Sequence, residues 1–131
     1  MAEICRQKSD SDDFCHPKEG NSVTVSELSK QGDFRALALP DPDREITGVY
    51  VGDLLSWVMG RANEGDLWLT IMTNVNVIAV ATLAGTAAVL LCEDCEPDAE
   101  LIALANEKGI NLLVTDKRIY EASLCVGALL K

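Results

Sequence analysis

From residue 46 onward the chain alternates short uncharged runs with segments of helical periodicity. Residues 46–51 are β-branched and aromatic and stop at Gly52, which predicts a strand. Asp53 then stands where a helix N-cap is expected. Leu54, Val58 and Ala62 recur at i, i+4 and i+8, with Leu55 and Met59 beside them, so the following helix should carry one apolar face. Residues 63–66, Asn-Glu-Gly-Asp, end it. Residues 67–72 are uncharged and short enough for a buried strand. The loop Thr73, Asn74, Val75, Asn76 opens a second helix, in which Ala79, Ala81 and Gly85 should allow close approach to a sheet. Residues 87–92 and 110–114 read as further strands. Between them Pro97 suits the first helical position, Asp98 and Glu100 favour the positive end of the helix dipole, and Leu101, Leu104 and Ala105 form the buried face. Lys108 and Gly109 close that helix. Thr115 and Asp116 should cap a last helix carrying Ile119, Ala122, Cys125 and Leu129.

Upstream, Thr24 and Glu27 have the spacing of a capping box, with Val23 and Leu28 at the hydrophobic-staple positions. Gly32 ends this short helix, and residues 36–39 read as a short first strand. Strands alternating with helices predict a three-layer α/β/α domain around a largely parallel or mixed sheet of four to five strands. That domain covers 23–131. Residues 1–22 are polar low-complexity text and are expected to be a flexible tail. Open α/β sheets bind ligands beyond the carboxyl ends of their strands. Here those ends are 73–76, 92–96 and 115–117.

Composition narrows the partners. The net charge of −10 over 131 residues argues against nucleic acid and anionic membranes, which need basic surface. The uncharged stretch between Asp66 and Glu93 is long enough to span a bilayer, which takes about 20 residues. Acidic flanks, two asparagines, four threonines and a glycine favour strand, helix and strand in an α/β core instead. With a polar N-terminus, this implies a cytoplasmic protein.

Residues 43–59, from Asp43-Arg44-Glu45-Ile46-Thr47-Gly48 to Trp57-Val58-Met59, carry a resemblance to a known family. Glu96-Pro97-Asp98, Ala105, Gly109-Ile110 and Leu113-Val114-Thr115 add to it. The chain from 23 to 131 resembles a stand-alone DRTGG-domain protein of anaerobic bacteria. Such domains occur beside CBS domains and within phosphotransacetylases, and resemble the N-terminal domain of HPr kinase/phosphorylase. The resemblance implies ligand sensing or oligomer building. Many relatives carry a Gly-Asp-Arg turn where this chain has Thr73-Asn74-Val75-Asn76, so an ionic contact made by that turn does not transfer.

The chemistry on offer is sparse. No phosphate-cradling GxxxxGK[ST] loop occurs, so kinase chemistry is not expected. Cys15-His16 falls in the expected tail, with no rigid third group to orient it. Cys92 and Cys95 have CxxC spacing, but no second pair completes a four-ligand zinc site, and their acidic flanks discourage thiolate. No cofactor, no bound metal and no catalytic residue are expected. Cys125 reads as packing, and Trp57 and Trp68 as core or interface anchors. Asn74, Asn76, Thr115 and Tyr120 are the candidate ligand-binding residues. Helix-terminal and side-chain amides at a strand end suit a phosphate or carboxylate, and the bland alternative is that the asparagines serve only as turn and cap residues. The expected function is a non-catalytic regulatory or sensory domain for a small polar ligand, a nucleotide or phosphorylated metabolite, and the expected partner is a small anionic ligand or adenine nucleotide. The alternative is a homo-oligomeric adaptor docking onto a partner enzyme of anaerobic redox metabolism.

Overall fold

The structure is a computed structural model and describes residues 23–130; the expected tail lies outside the described residues. The chain runs β1 (Val23–Thr24), α1 (Val25–Ser29), β2 (Arg35–Ala38), β3 (Glu45–Ile46), β4 (Gly48–Val51), α2 (Leu55–Arg61), β5 (Asp66–Thr70), α3 (Asn76–Ala84), β6 (Ala88–Leu91), α4 (Ala99–Lys108), β7 (Asn111–Val114) and α5 (Ile119–Leu129). The main sheet has the order β2-β7-β6-β5-β4. Strands β4 to β7 are parallel, and β2 lies antiparallel against β7. The sheet is therefore mixed and five-stranded, and both its faces are covered.

Alternation along the central strands separates two cores. Leu67, Leu69, Ala88, Leu90 and Leu113 point to one face, where α1 and α5 supply Leu28, Ala122 and Val126. Trp68, Val89, Leu91 and Leu112 point to the other, where α2, α3 and α4 supply Val58, Ile78, Ala81, Leu101 and Ala105. Each strand is apolar on both sides, which is why its sequence reads as a continuous run rather than an alternation. No helix among the described residues is long and apolar enough to cross a membrane, and 67–92 is strand, helix and strand.

The run at 46–51 is not one strand. It breaks at Thr47, so that β3 pairs with β1 in a separate two-stranded ladder while β4 begins the main sheet. The cause is a tight seam at the amino edge. The Thr47 amide donates to the Gly65 carbonyl (3.0 Å), and the Gly65 amide donates to the Gly85 carbonyl (2.9 Å). Arg44 Nη2 donates to that same Gly85 carbonyl at 2.7 Å. Gly65 (φ +88°) and Gly85 (φ +74°) occupy left-handed backbone that glycine adopts without cost. Asn111 closes the seam on the β7 side. Its Oδ1 accepts from the Asp41 amide, and its Nδ2 donates to the carbonyls of Asp41 and Ala87.

The capping box forms as read: Thr24 Oγ1 accepts from the Glu27 amide, and Glu27 Oε1 from the Thr24 amide. Other caps differ. Asp53 does not cap α2, whose first turn has no side-chain cap. Leu54 and Met59 are exposed rather than core-facing. Pro97 precedes the cap of α4. Asp98 is that cap, accepting from the Leu101 amide. Ala79 faces solvent, whereas Ala81 is buried.

Two left-handed glycines separate steric from conformational cost. A Cβ on Gly109 meets nothing within 4 Å, whereas one on Gly65 lands 2.6 Å from Thr47 Oγ1. Gly109→Ala should cost about 1–2 kcal/mol, the left-handed penalty alone. Gly65→Ala should cost more, by at least the roughly 1 kcal/mol of a seam hydrogen bond. Urea unfolding of both variants measures this, and equal costs would show that the seam yields.

Candidate ligand site at the carboxyl edge

The parallel strands deliver Asp53, Ile71, Cys92 and Thr115 to one edge of the sheet, and antiparallel β2 brings Asp33 and Arg35 to the same edge. The loops there are stitched to each other. Asp53 Oδ1 accepts from Thr70 Oγ1 (2.6 Å) and from the Ile71 amide (3.1 Å), joining the end of β4 to the end of β5. This bond, rather than capping, is the task of Asp53, and it ends β5 at Thr70. Cys95 Sγ donates to the Ile71 carbonyl at 3.4 Å, linking the β6 exit to the β5 exit.

The β6 exit holds two successive non-glycine residues in left-handed backbone, Glu93 (φ 63°) and Asp94 (φ 61°). Each such residue costs about 1–2 kcal/mol, so the neighbours must hold them there. The Glu93 amide donates to the Lys117 carbonyl (2.8 Å) and the Asp94 amide to the Thr115 carbonyl (3.0 Å). Glu93 Oε2 accepts from the Ile119 amide at 3.3 Å. A carboxylate from another loop thus sits at the positive end of α5. That helix starts later than Thr115–Asp116 would imply, and Arg118 at its cap offers no side-chain bond. Thr115 instead turns its hydroxyl to the Lys117 amide.

Between β2, β7 and the β6 exit lies an open cleft of ≈ 270 Å³, lined by Asp33, Arg35, Asp94, Cys95, Glu96 and Thr115 among others. Lys117 Nζ reaches Asp33 at 3.3 Å on its rim. Carboxylates outnumber cations here, since Asp116 also lines it.

The four residues expected to bind ligand are not gathered into one crevice. Thr115 is buried and lines the cleft. Asn74 and Asn76 are exposed at the end of β5, where Asn74 Oδ1 accepts from the Asn76 amide as a turn residue. Two strand spacings, about 10 Å, separate that end from the end of β7. Tyr120 is 71% exposed on α5, which packs on the opposite face of the sheet from α3. The physical reason is the winding. From β4 to β7 each strand is added on the same side of the last, so the parallel strands contain no reversal of direction. A crevice between helices opens where the direction reverses. Here the cleft comes from antiparallel β2. Sequence reasoning missed Asp33 and Arg35, and it placed Glu93 in the 92–96 strand end without a role; the partners of Asp33 and Glu93, Lys117 and Ile119, lie far along the chain.

The two CxxC thiols are held as thiols. Burial, then Glu93, Cys95 and Asp53, push Cys92 from 9.0 up to about 12. Burial, then Glu93, Asp94 and Asp53, push Cys95 up as well. Among the described residues no three His, Cys, Asp or Glu side chains converge as metal ligands.

No family model matches the chain, and no curated protein matches it. Its fold is similar to the solved structure of the CBS and DRTGG domains of the regulatory region of Clostridium perfringens pyrophosphatase, complexed with its activator, diadenosine tetraphosphate. The TM-score is 0.65 at 15% identity, over 93% of this chain and 56% of that one. The likeness establishes a DRTGG-like α/β fold.

The Cys92 thiol generates a pH prediction. Its native pKa lies above the unfolded value, so the native state holds the proton more tightly. The associated stability is complete below pH 9.0 and is lost as pH rises through about 12. The slope should approach about 1.4 kcal/mol per pH unit in that window. Denaturant titrations of the wild type and Cys92→Ala across the window should diverge accordingly; parallel curves would show that the fold accommodates the thiolate.

Proposed function

We propose that this chain is a non-catalytic regulatory module that binds a small polar ligand, a nucleotide or phosphorylated metabolite, at the carboxyl edge of its sheet. The observation that carries the reading is the cleft beside β2, with the buried Thr115 and the guanidinium of Arg35 on its wall. The similar fold in a pyrophosphatase regulatory region that takes diadenosine tetraphosphate supports a nucleotide as the ligand class. The wider reading goes with it: a cytoplasmic DRTGG-domain protein with kinship to the N-terminal domain of HPr kinase/phosphorylase.

The edge sets terms for such a ligand. With Asp33, Asp94, Glu96 and Asp116 around the cleft, bare phosphates would be repelled. Phosphates would enter with a divalent cation neutralising them. Helix dipoles add only about 0.3–1 kcal/mol each near a surface, so they do not offset the carboxylates. A mononucleotide in the cleft would meet Thr115 and not the asparagines. A ligand that also reaches Asn74 and Asn76 must extend across two strand ends, as an elongated dinucleotide does. Tyr120 would contribute only to a ligand wrapping over the edge to the other face.

A second reading, an oligomeric adaptor that docks onto a partner enzyme, is favoured by one observation. Leu54 and Trp57 are exposed on α2 beside the free edge of the sheet.

Thermal shift and calorimetry with ATP, AMP and diadenosine tetraphosphate, each with magnesium and with EDTA, test the first reading. A ligand at 100 times its dissociation constant should add about 2.7 kcal/mol of stability. Binding should need magnesium and should weaken roughly tenfold in Thr115→Val, the effect of about 1.4 kcal/mol from a lost hydrogen bond. The Asn74→Ala, Asn76→Ala double variant should weaken only the dinucleotide. No stabilisation by any of the three at millimolar concentration would overturn the ligand reading.

A further inference from the structure

The two edges of the main sheet are built differently. β2, at one end, carries the exposed Arg35 and a register shift between Ala36 and Ala38. Charge and bulge are both devices that discourage pairing with another strand. Among the described residues β4, at the other end, is bonded in this sheet to β5 alone. Its sequence, Gly-Val-Tyr-Val, has no charge, no proline and no register shift. An edge of this kind offers unpaired backbone donors and acceptors to any strand that arrives.

Side chains beside this edge are apolar. On α2, Val58 is buried and Leu55 and Ala62 are half-buried against the sheet. Leu54, Trp57 and Arg61 recur at i, i+3 and i+7 on one flank of that helix. The right-handed crossover from β4 through α2 to β5 turns this flank away from α3 and toward the free edge. Trp57 is 53% exposed, and the Arg61 guanidinium lies 4.1 Å from its ring centroid. Leu54 and Val51 are also exposed. Exposed tryptophan and arginine in an apolar setting are the residue types that carry interface energy.

Charge identifies the occupant. The chain carries −10, so two copies repel over most of their surface. Residues 46–62 carry only Asp53 and Arg61, which sum to zero. Asp53 is already engaged by Thr70 and Ile71. A basic partner would be drawn elsewhere on this molecule. A second copy can approach here without meeting its own field.

We propose that this edge is the interface of a homodimer, in which β4 pairs antiparallel with β4 of a second copy. A two-fold axis between the two β4 strands, normal to the sheet, makes one sheet continuous across both copies. It brings the two Leu54–Trp57–Arg61 flanks together on the same face. A standard interface needs about 800 Å² per copy, roughly a tenth of the 7329 Å² accessible surface. The proposal stands independently of the ligand reading.

Light scattering on the full chain at tens of micromolar should give twice the 14.1 kDa chain mass. Val51→Lys and Trp57→Glu should each raise the dimer dissociation constant at least 100-fold while circular dichroism shows a retained fold. Leu83→Glu, at a site 71% exposed on α3, and Tyr120→Glu on α5 should remain dimeric. In the wild type, exchange of the amides of 48–51 should slow as concentration rises through the dissociation constant. A monomeric wild type, or amide exchange at 48–51 that ignores concentration, would overturn the proposal. So would a dimer that survives both edge variants but dissociates in Leu83→Glu or Tyr120→Glu.

Discussion

The Gly85 carbonyl is the point on which the amino edge of this fold depends. It ends α3 in left-handed backbone and accepts two hydrogen bonds, from Arg44 and from the Gly65 amide. Gly65 in turn accepts from Thr47, and a Cβ on Gly48 would lie 2.6 Å from the Asp66 carboxylate. Three stretches of chain meet here at backbone distance, which only glycine permits. Burial pushes the Asp66 carboxyl above the usual range, opposed by its bond from the Asn63 amide. Of the residues that carry the family resemblance, 43–48 therefore act on architecture. They set where β3 ends, where β4 begins and how α3 stops. That is why so specific a stretch says little about activity.

The reading of the sequence succeeded where causes are local. Thr24 and Glu27 are three residues apart, and their reciprocal bonds follow from that spacing. The strands at 67–70, 88–91 and 111–114 were legible because uncharged runs of that length have few alternatives in an α/β layer. Legibility fails where partners are distant. Nothing near Asp53 announces Thr70, and nothing near Ile119 announces Glu93. Strand order is also silent in the text, because strands buried on both faces do not mark one of them. The faces of α3 and α5 were therefore open, and with them the separation of Tyr120 from Asn76. The β6 exit was hidden as well, since glutamate and aspartate do not advertise left-handed backbone.

The sheet divides its tasks by edge. The amino edge is closed by glycine and Arg44. The carboxyl edge is polar and cross-stitched, and the cleft there depends on β2 lying antiparallel beside β7. The β4 side is apolar and neutral on a strongly acidic molecule. Ligand and partner, in this layout, would not compete for the same surface.

The position of β2 also bears on how the chain is made. β2 is synthesised early, yet its strand partner among the described residues is β7, and Asp41 waits on Asn111 across a sequence gap of 70 residues. Parallel ladders and distant pairings assemble slowly because loop closure precedes any reward. On a ribosome, β4, β5 and β6 can align in the order of their emergence. Until residue 114 has left the exit tunnel, β6 remains an unprotected apolar margin and β2 an orphan. The vulnerable period of this protein's life is therefore the interval between the emergence of β6 and that of β7, when a passing strand from another nascent chain could take the place reserved for its own.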